Sequence, residues 1–346
     1  MKTLAAILVE QKKPLAVEEV DIPALSVGQV LVQVLCSGIC GSQIGEIDGV
    51  KGPDRFLPHL LGHEGTGVVM ECGEGVSRLQ AGDYVVLHWR KGAGMESLCP
   101  KYRSARGIVN AGWVTSFNQH AVVSENRLTK IPRDFDPEIG ALMGCAVTTG
   151  FGVINNNAQL RIGESVIIFG AGGVGLNVVQ AAALVSAYPI VVLDLFDHRL
   201  ELARALGATH GLNAATTGVE EELRKIVGPQ GVDVVIDNTG NPKVIEMAYR
   251  LTSAAGRTVL VGVPAKGREA HIYTLPLHFG KVLTGSYGGE SRPEKDIPNY
   301  IRLYQAGKLN LKPLISKRYS LGQINEAISD LRAGVTAGRG MIHMLQ

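Results

Sequence analysis

The chain is predicted to be an α/β protein, in which an antiparallel, loop-rich β domain precedes a doubly wound parallel sheet. Three features predict this. The first 150 residues carry short strand-forming runs, Gln29–Leu35, Gly67–Met70, Tyr84–Leu87 and His120–Val123, bounded by Gly, Pro, Asp and Ser. Prolines punctuate the same stretch (Pro14, Pro23, Pro53, Pro58, Pro100, Pro132, Pro137), as expected of a barrel-like domain rich in loops. From about Gly150 onward, apolar strands alternate with helices, the pattern of parallel strands covered on both faces.

The elements follow in order. The opening segment, MKTLAAILVEQKKP, has a short apolar run ended by Glu10 and no small-residue cleavage site, so it reads as a first strand and not a signal peptide. Val166–Phe169 is a buried-strand run followed by a glycine turn and the apolar helix Leu176–Ser186. Ile190–Leu193 is the next strand, and His198–Leu206 a helix stopped by Gly207. Val232–Ile236 and Thr258–Val261 are further strands, with a helix over Lys243–Leu251 between them. Helices Ile297–Ala306 and Ile324–Ala333 close the chain. There is no long linker, repeat or low-complexity tract, so the junction near residue 150 is a change of pattern, not a hinge.

Composition removes several function classes. Lys+Arg 34 against Asp+Glu 32 leaves a formal charge of +2, which gives no support to nucleic-acid binding. The 43 glycines have no Gly-X-Y period and sit among apolar runs, which excludes collagen-like and disordered chains. The longest apolar stretch, Val178 to Leu193, is broken by Gln180, Ser186 and Pro189, so no membrane span is expected. Five cysteines, an odd and scattered number, argue against a disulfide framework and for a reducing, cytoplasmic compartment.

Gly170-Ala171-Gly172-Gly173-Val174-Gly175 has the form G-x-G-x-x-G. Alone it is a weak signal, but it follows a strand and opens a helix, which is the context a dinucleotide site requires. Gly170, Gly172, Gly173 and Gly175 permit a tight turn, and the backbone N–H groups, that of Val174 included, would reach a pyrophosphate at the helix start. Asp194 ends the second strand nineteen residues after Gly175. An acid there binds the ribose 2′-hydroxyl and repels a 2′-phosphate, so NAD is expected over NADP. The competing reading is a glycine turn without a ligand.

Three stretches hold candidate metal ligands: Ser37-Gly38-Ile39-Cys40-Gly41-Ser42, Leu61-Gly62-His63-Glu64-Gly65 and Met143-Gly144-Cys145-Ala146-Val147-Thr148-Thr149-Gly150. Cys40, His63 and Cys145 make a Cys₂His set, and three protein ligands leave a fourth position open, as in catalytic zinc sites. Scattered buried cysteines and a core histidine would give the same sequence, and spacing alone does not separate the two.

Along its full length the chain resembles the zinc-dependent alcohol dehydrogenases of the medium-chain dehydrogenase/reductase superfamily. The Gly-Cys-x-x-x-Thr-Gly form around Cys145 is most similar to the liver-type and glutathione-dependent formaldehyde dehydrogenase branch. The resemblance implies a GroES-like antiparallel β catalytic domain at 1–150, completed by 287–346, and a Rossmann NAD-binding domain at 151–286. It implies that Cys40, His63 and Cys145 hold one catalytic zinc, that Glu64 lies beside the metal, and that Ser42 takes the substrate alcohol's proton. Asp194 and Arg199 would contact the adenosine ribose and Arg339 the cofactor phosphates. Trp89 falls where such enzymes have an aromatic pocket wall, although a packed tryptophan fits equally.

The departures carry expectations too. Between Arg90 and Trp113 only Cys99 occurs, and one thiolate cannot build the family's structural zinc site, so a shortened lobe without that zinc is expected. Cys36 and Cys72 read as ordinary thiols. Gln43 replaces the usual acid that orients the histidine ligand, which bears on metal affinity. Gly45 replaces a relay histidine found in some members, so a relay would run from Ser42 through the cofactor ribose. His59 and His88 are pocket candidates or packed histidines, and Arg90 and Lys91 either meet an anionic group or are solvated loop.

The implied reaction moves a hydride between an alcohol at the zinc and nicotinamide, with the protein holding both in register in a dry cleft. The substrate is expected to be a small-molecule alcohol or carbonyl: a polar secondary alcohol such as a sugar or cyclitol, or a primary alcohol. A zinc-independent reductase of the same superfamily and a non-catalytic nucleotide-binding protein are the alternatives. A homodimer or homotetramer pairing through the strand Thr258–Val263 is expected, with no nucleic-acid or membrane partner.

Overall fold

The computed structural model describes residues 1–344, so the last two positions of the expected 287–346 segment lie outside the described residues. Two compact units are present, Met1–Cys145 with Arg292–Gln346, and Ala146–Ser291.

In the first unit Lys2–Leu8 pairs antiparallel with both Ala16–Asp21 and His59–Leu60. With Lys101–Ser104 and Gly107–Asn110 these strands close a barrel. Ala5, Ile7, Val20, Leu60, Tyr102 and Val109 fill it. A seven-stranded sheet carries the rest, in the order Leu128–Lys130, Tyr84–His88, Glu64–Cys72, Gln29–Gly38, Arg339–His343, Ile315–Ser320, with His120–Ser124 also paired to Gln29–Gly38. Gln29–Gly38 runs past the expected Leu35 because Cys36, Ser37 and Gly38 pair with Arg339–His343 on one side while Cys36 and Ser37 pair with Glu64–Cys72 on the other. That pairing brings the ends of three strands, and the motif residues on them, to one place.

The segment between Arg90 and Trp113 folds as the hairpin Lys101–Ser104/Gly107–Asn110 and is pinned by ordinary contacts. Arg127 Nη2 donates to Glu96 Oε2 at 3.0 Å, its guanidinium lies 5.0 Å from the Trp113 ring centre, and Trp113 Nε1 donates to the Ser97 carbonyl at 3.1 Å.

The second unit is a six-stranded, wholly parallel sheet in the order His210–Asn213, Ile190–Asp194, Val166–Phe169, Val232–Asp237, Thr252–Leu260, Val282–Gly285. Helices Gly173–Leu184, Asp197–Ala205, Val219–Val227 and Pro242–Leu251 connect the strands. The parallel sheet, the antiparallel barrel and the fold class match the expectation from sequence. The expected pairing edge does not: Thr252–Leu260 lies inside the sheet, and Val282–Gly285 is the edge strand. Four residues with no buried position among them carry too little apolar pattern to read as a strand. Among the described residues no single helix is long and apolar enough to cross a membrane.

Candidate active site

The ligand atoms of Cys40, His63 and Cys145 lie within 4.8 Å of one another in the first unit. Each is placed by a strand or helix end. Cys40 caps helix Gly41–Ile47, directly after strand Gln29–Gly38 and Ile39. His63 immediately precedes strand Glu64–Cys72. Cys145 follows helix Pro137–Met143, whose start is set by Asp136 accepting from the Glu138 N–H at 2.9 Å and by Pro137 in the first turn. Gly144 is what lets this turn reach the metal cluster: a Cβ there would sit 2.3 Å from the Leu87 carbonyl oxygen and 2.9 Å from Glu64 Cα.

The electrostatics suit a bound cation. The Cys145 thiol donates toward Cys40, which holds Cys40 well below the usual thiol range, and Arg339 assists; Cys145 is raised in consequence. Burial lowers His63, but the Cys40 sulfur beside it, Glu64 and Glu46 together outweigh burial and leave it above the usual histidine value. Burial raises Glu64 against the opposing charge of Arg339. Arg339 Nε donates to Glu64 Oε1 at 2.7 Å and Nη2 lies 3.4 Å from Cys40 Sγ.

The donor set fits zinc. Two sulfurs and one imidazole nitrogen select a soft or borderline ion and not calcium or magnesium. His63 Nε2 is buried without a hydrogen-bond partner, while Nδ1 is taken by the Gln43 side chain. A buried, unpaired imidazole nitrogen facing two sulfurs is the signature of a ligand position.

In the second unit Gly170 turns at φ +87°, and a Cβ on Gly175 would lie 1.9 Å from the Gly170 carbonyl oxygen. At Gly172 a Cβ would meet nothing within 4 Å, so the backbone at the start of helix Gly173–Leu184 is open to a ligand. Gly173 and Val174 begin that helix. Asp194 ends its strand largely buried, its Oδ2 accepting from the Ala171 N–H at 2.7 Å and its Oδ1 from the Phe196 N–H at 3.1 Å. The acid is thereby fixed to the glycine turn. Arg199 stacks 4.7 Å from the Phe196 ring centre, with Nη1 3.8 Å from Asp194 Oδ1.

Comparison with known proteins identifies the family. Residues 26–133 match the family described as alcohol dehydrogenase GroES-like domain, and residues 173–306 the family described as zinc-binding dehydrogenase. The chain is 30% identical to S-(hydroxymethyl)glutathione dehydrogenase of Paracoccus denitrificans, over 96% of this chain and 98% of that one. It is similar in structure to an alcohol dehydrogenase zinc-binding domain protein from Burkholderia ambifaria (TM-score 0.90, 30% identity, 100% of both chains). It is also similar to benzyl alcohol dehydrogenase from Acinetobacter calcoaceticus (TM-score 0.88, 28% identity, 99% of both). The chain belongs to the zinc-dependent alcohol dehydrogenase family.

Within this family member, Cys40, His63, Glu64, Cys145 and Arg339 form one cluster, with Ser42 exposed on the first turn of the helix that Cys40 caps. Arg339, grouped with the cofactor residues in the sequence reading, stands against Glu64 and Cys40. Trp89 is half-buried, one residue beyond His88, which pairs across the sheet with Glu64. His88 itself is a packed histidine: Nδ1 bonds the Arg90 carbonyl at 2.8 Å and Nε2 the Thr129 hydroxyl at 2.9 Å. His59 is bound to Asp54 at 2.8 Å and to its neighbour's carbonyl at 2.9 Å. Lys91 is an exposed side chain 3.5 Å from Glu96. None of the five cysteines is in a disulfide, and burial pushes Cys36 up to about 12. The sequence reading missed Glu46, whose charge acts on His63; its position three residues beyond Gln43 on one short helix was the available signal.

Proposed function

We propose that this chain interconverts a polar alcohol and its carbonyl, with NAD as hydride carrier and one zinc held by Cys40, His63 and Cys145. The observation that carries the reading is the convergence of two sulfurs and an unpartnered buried imidazole nitrogen, a three-ligand set with a fourth position for substrate.

Zinc, when bound there, supplies the Lewis acidity that lets an alcohol lose its proton near neutral pH, and NAD, when bound, exchanges the hydride. The chain's residues do the rest. Ser42 Oγ accepts the alcohol proton as its own hydroxyl proton leaves to solvent, to which the side chain is exposed. Arg339 and Glu64 neutralise one another beside the ligands, so the site's charge is set by the two sulfurs. The N–H groups of the Gly170–Gly175 turn bind the pyrophosphate, and Asp194 accepts from the ribose hydroxyls. A 2′-phosphate would bring a second negative charge to Asp194, which favours NAD over NADP. Arg199 lies alongside that ribose position. Trp89 serves as an apolar wall for the substrate.

The substrate class we infer is a sugar- or cyclitol-type secondary alcohol or a small primary alcohol. Copies would pair through the edge strand Val282–Gly285, where Val282 is exposed, as is Phe279 three residues before it. The test is cofactor reduction over a panel of primary alcohols, polyols and cyclitols. Turnover with NAD that a chelator abolishes and zinc restores supports the reading. Zinc-independent turnover contradicts it.

A further inference from the structure

The carboxamide of Gln43 is buried and faces two groups at once. Its Oε1 accepts from the Cys40 backbone N–H at 2.9 Å, and its Nε2 meets His63 Nδ1. The Cys40 N–H can only donate, so the carbonyl end of the amide must face it. The amino end then faces His63, and Nδ1 must be the acceptor. When His63 binds a metal through Nε2, however, the single proton of the neutral ring must sit on Nδ1. Two donors then oppose each other. Turning the amide over satisfies Nδ1–H but sets the amino group against the Cys40 N–H. One carboxamide offers an acceptor at one end only, and the loaded site presents a donor to each end.

We propose that Gln43 is a positioning residue that loosens the hold of Cys40, His63 and Cys145 on a divalent metal, because occupancy leaves one buried donor unmatched. This rests on the metal reading of the site. A carboxylate at the same position removes the conflict, since both of its oxygens accept.

The experiment titrates metal-stripped protein with zinc against a chromophoric chelator, comparing wild type with Gln43→Glu. Gln43→Glu should bind zinc about 10- to 100-fold more tightly. Equal or weaker binding by a folded Gln43→Glu overturns the proposal and leaves the metal reading intact. No zinc binding by either protein overturns both. A second measurement needs no variant and separates hydrogen-bond matching from the added charge. Long-range proton–nitrogen NMR of metal-free wild type, taken above the pH at which the ring loses its second proton, should find the His63 proton on Nε2. A proton on Nδ1 overturns the proposal, even if Gln43→Glu binds more tightly.

Discussion

Arg339 Nε donates to Glu64 Oε1 at 2.7 Å, tying together two buried side chains 275 positions apart. The pair crosses from the last strand of the chain to the residue after a metal ligand, and Arg339 also reaches the sulfur of Cys40. Removing one partner strands a charge in the interior, which typically costs 3–5 kcal/mol, whereas removing both together costs far less. Arg339→Leu should therefore lower stability by about 3–5 kcal/mol, and the double variant Glu64→Gln/Arg339→Leu should recover most of that loss. Chemical denaturation of wild type, Glu64→Gln, Arg339→Leu and the double variant measures the coupling. Additive losses would show that the two charges do not depend on each other.

The metal cluster makes a separate prediction. With Cys145→Ser the site keeps one sulfur and one nitrogen and loses one of its two soft ligands. Purified wild type should carry about one zinc per chain and Cys145→Ser much less, with turnover falling in parallel. Metal analysis by emission spectroscopy reads this directly. A zinc content unchanged by Cys145→Ser would remove Cys145 from the ligand set.

His88 predicts a pH dependence of stability. Burial lowers its pKa from 6.5 to about 4, and its two hydrogen bonds fix the neutral ring with the proton on Nδ1, toward the Arg90 carbonyl. Below about pH 6.5 the unfolded chain takes up a proton that the folded chain refuses. The stabilisation is complete above that pH and is lost as pH falls toward about 4. Between pH 7 and pH 5 this group should cost about 2 kcal/mol. Urea unfolding of His88→Gln should lose less stability than wild type between pH 7 and pH 5, by about 2 kcal/mol in total. Equal losses would mean that His88 is not neutral in the fold.

The proposed function makes Asp194 the residue that sets the choice of cofactor. Asp194→Asn keeps the side-chain shape but only one acceptor oxygen, so it gives up one of the two backbone N–H bonds, to Ala171 or to Phe196, together with the charge that would oppose a 2′-phosphate. Its affinity for NAD should fall about tenfold, with a smaller loss or a gain for NADP, as expected when an ionised acceptor becomes neutral. Calorimetric titration with both cofactors measures it. Equal losses for the two would place the discrimination elsewhere.

Much of the second unit was legible in the sequence. Val166–Phe169 is a strand at the bounds expected, because four consecutive buried apolar residues end abruptly at the Gly170 turn. The adjoining Gly170–Gly175 motif and Asp194 have the strand–turn–helix context that was read for them. Helix Val219–Val227 escaped because three consecutive glutamates mask a face on which only Leu223 is buried. The edge strand Val282–Gly285 escaped for want of any buried residue. In the first unit the residue types of the metal cluster were legible but their convergence was not. Cys40, His63 and Cys145 are brought together by pairing between strands far apart in sequence, which no local period encodes. The Arg339–Glu64 contact belongs to the same class, and the resemblance to a family pointed to the cluster where spacing alone did not.

An NAD-linked oxidation that needs zinc at Cys40, His63 and Cys145, as proposed, can be read in one assay. Reduced nicotinamide is followed as purified protein meets a panel of alcohols with NAD, before chelation, after it, and after zinc is returned. Turnover of at least one alcohol, abolished by the chelator and restored by zinc, is the expected result. Turnover that survives complete removal of zinc would contradict it.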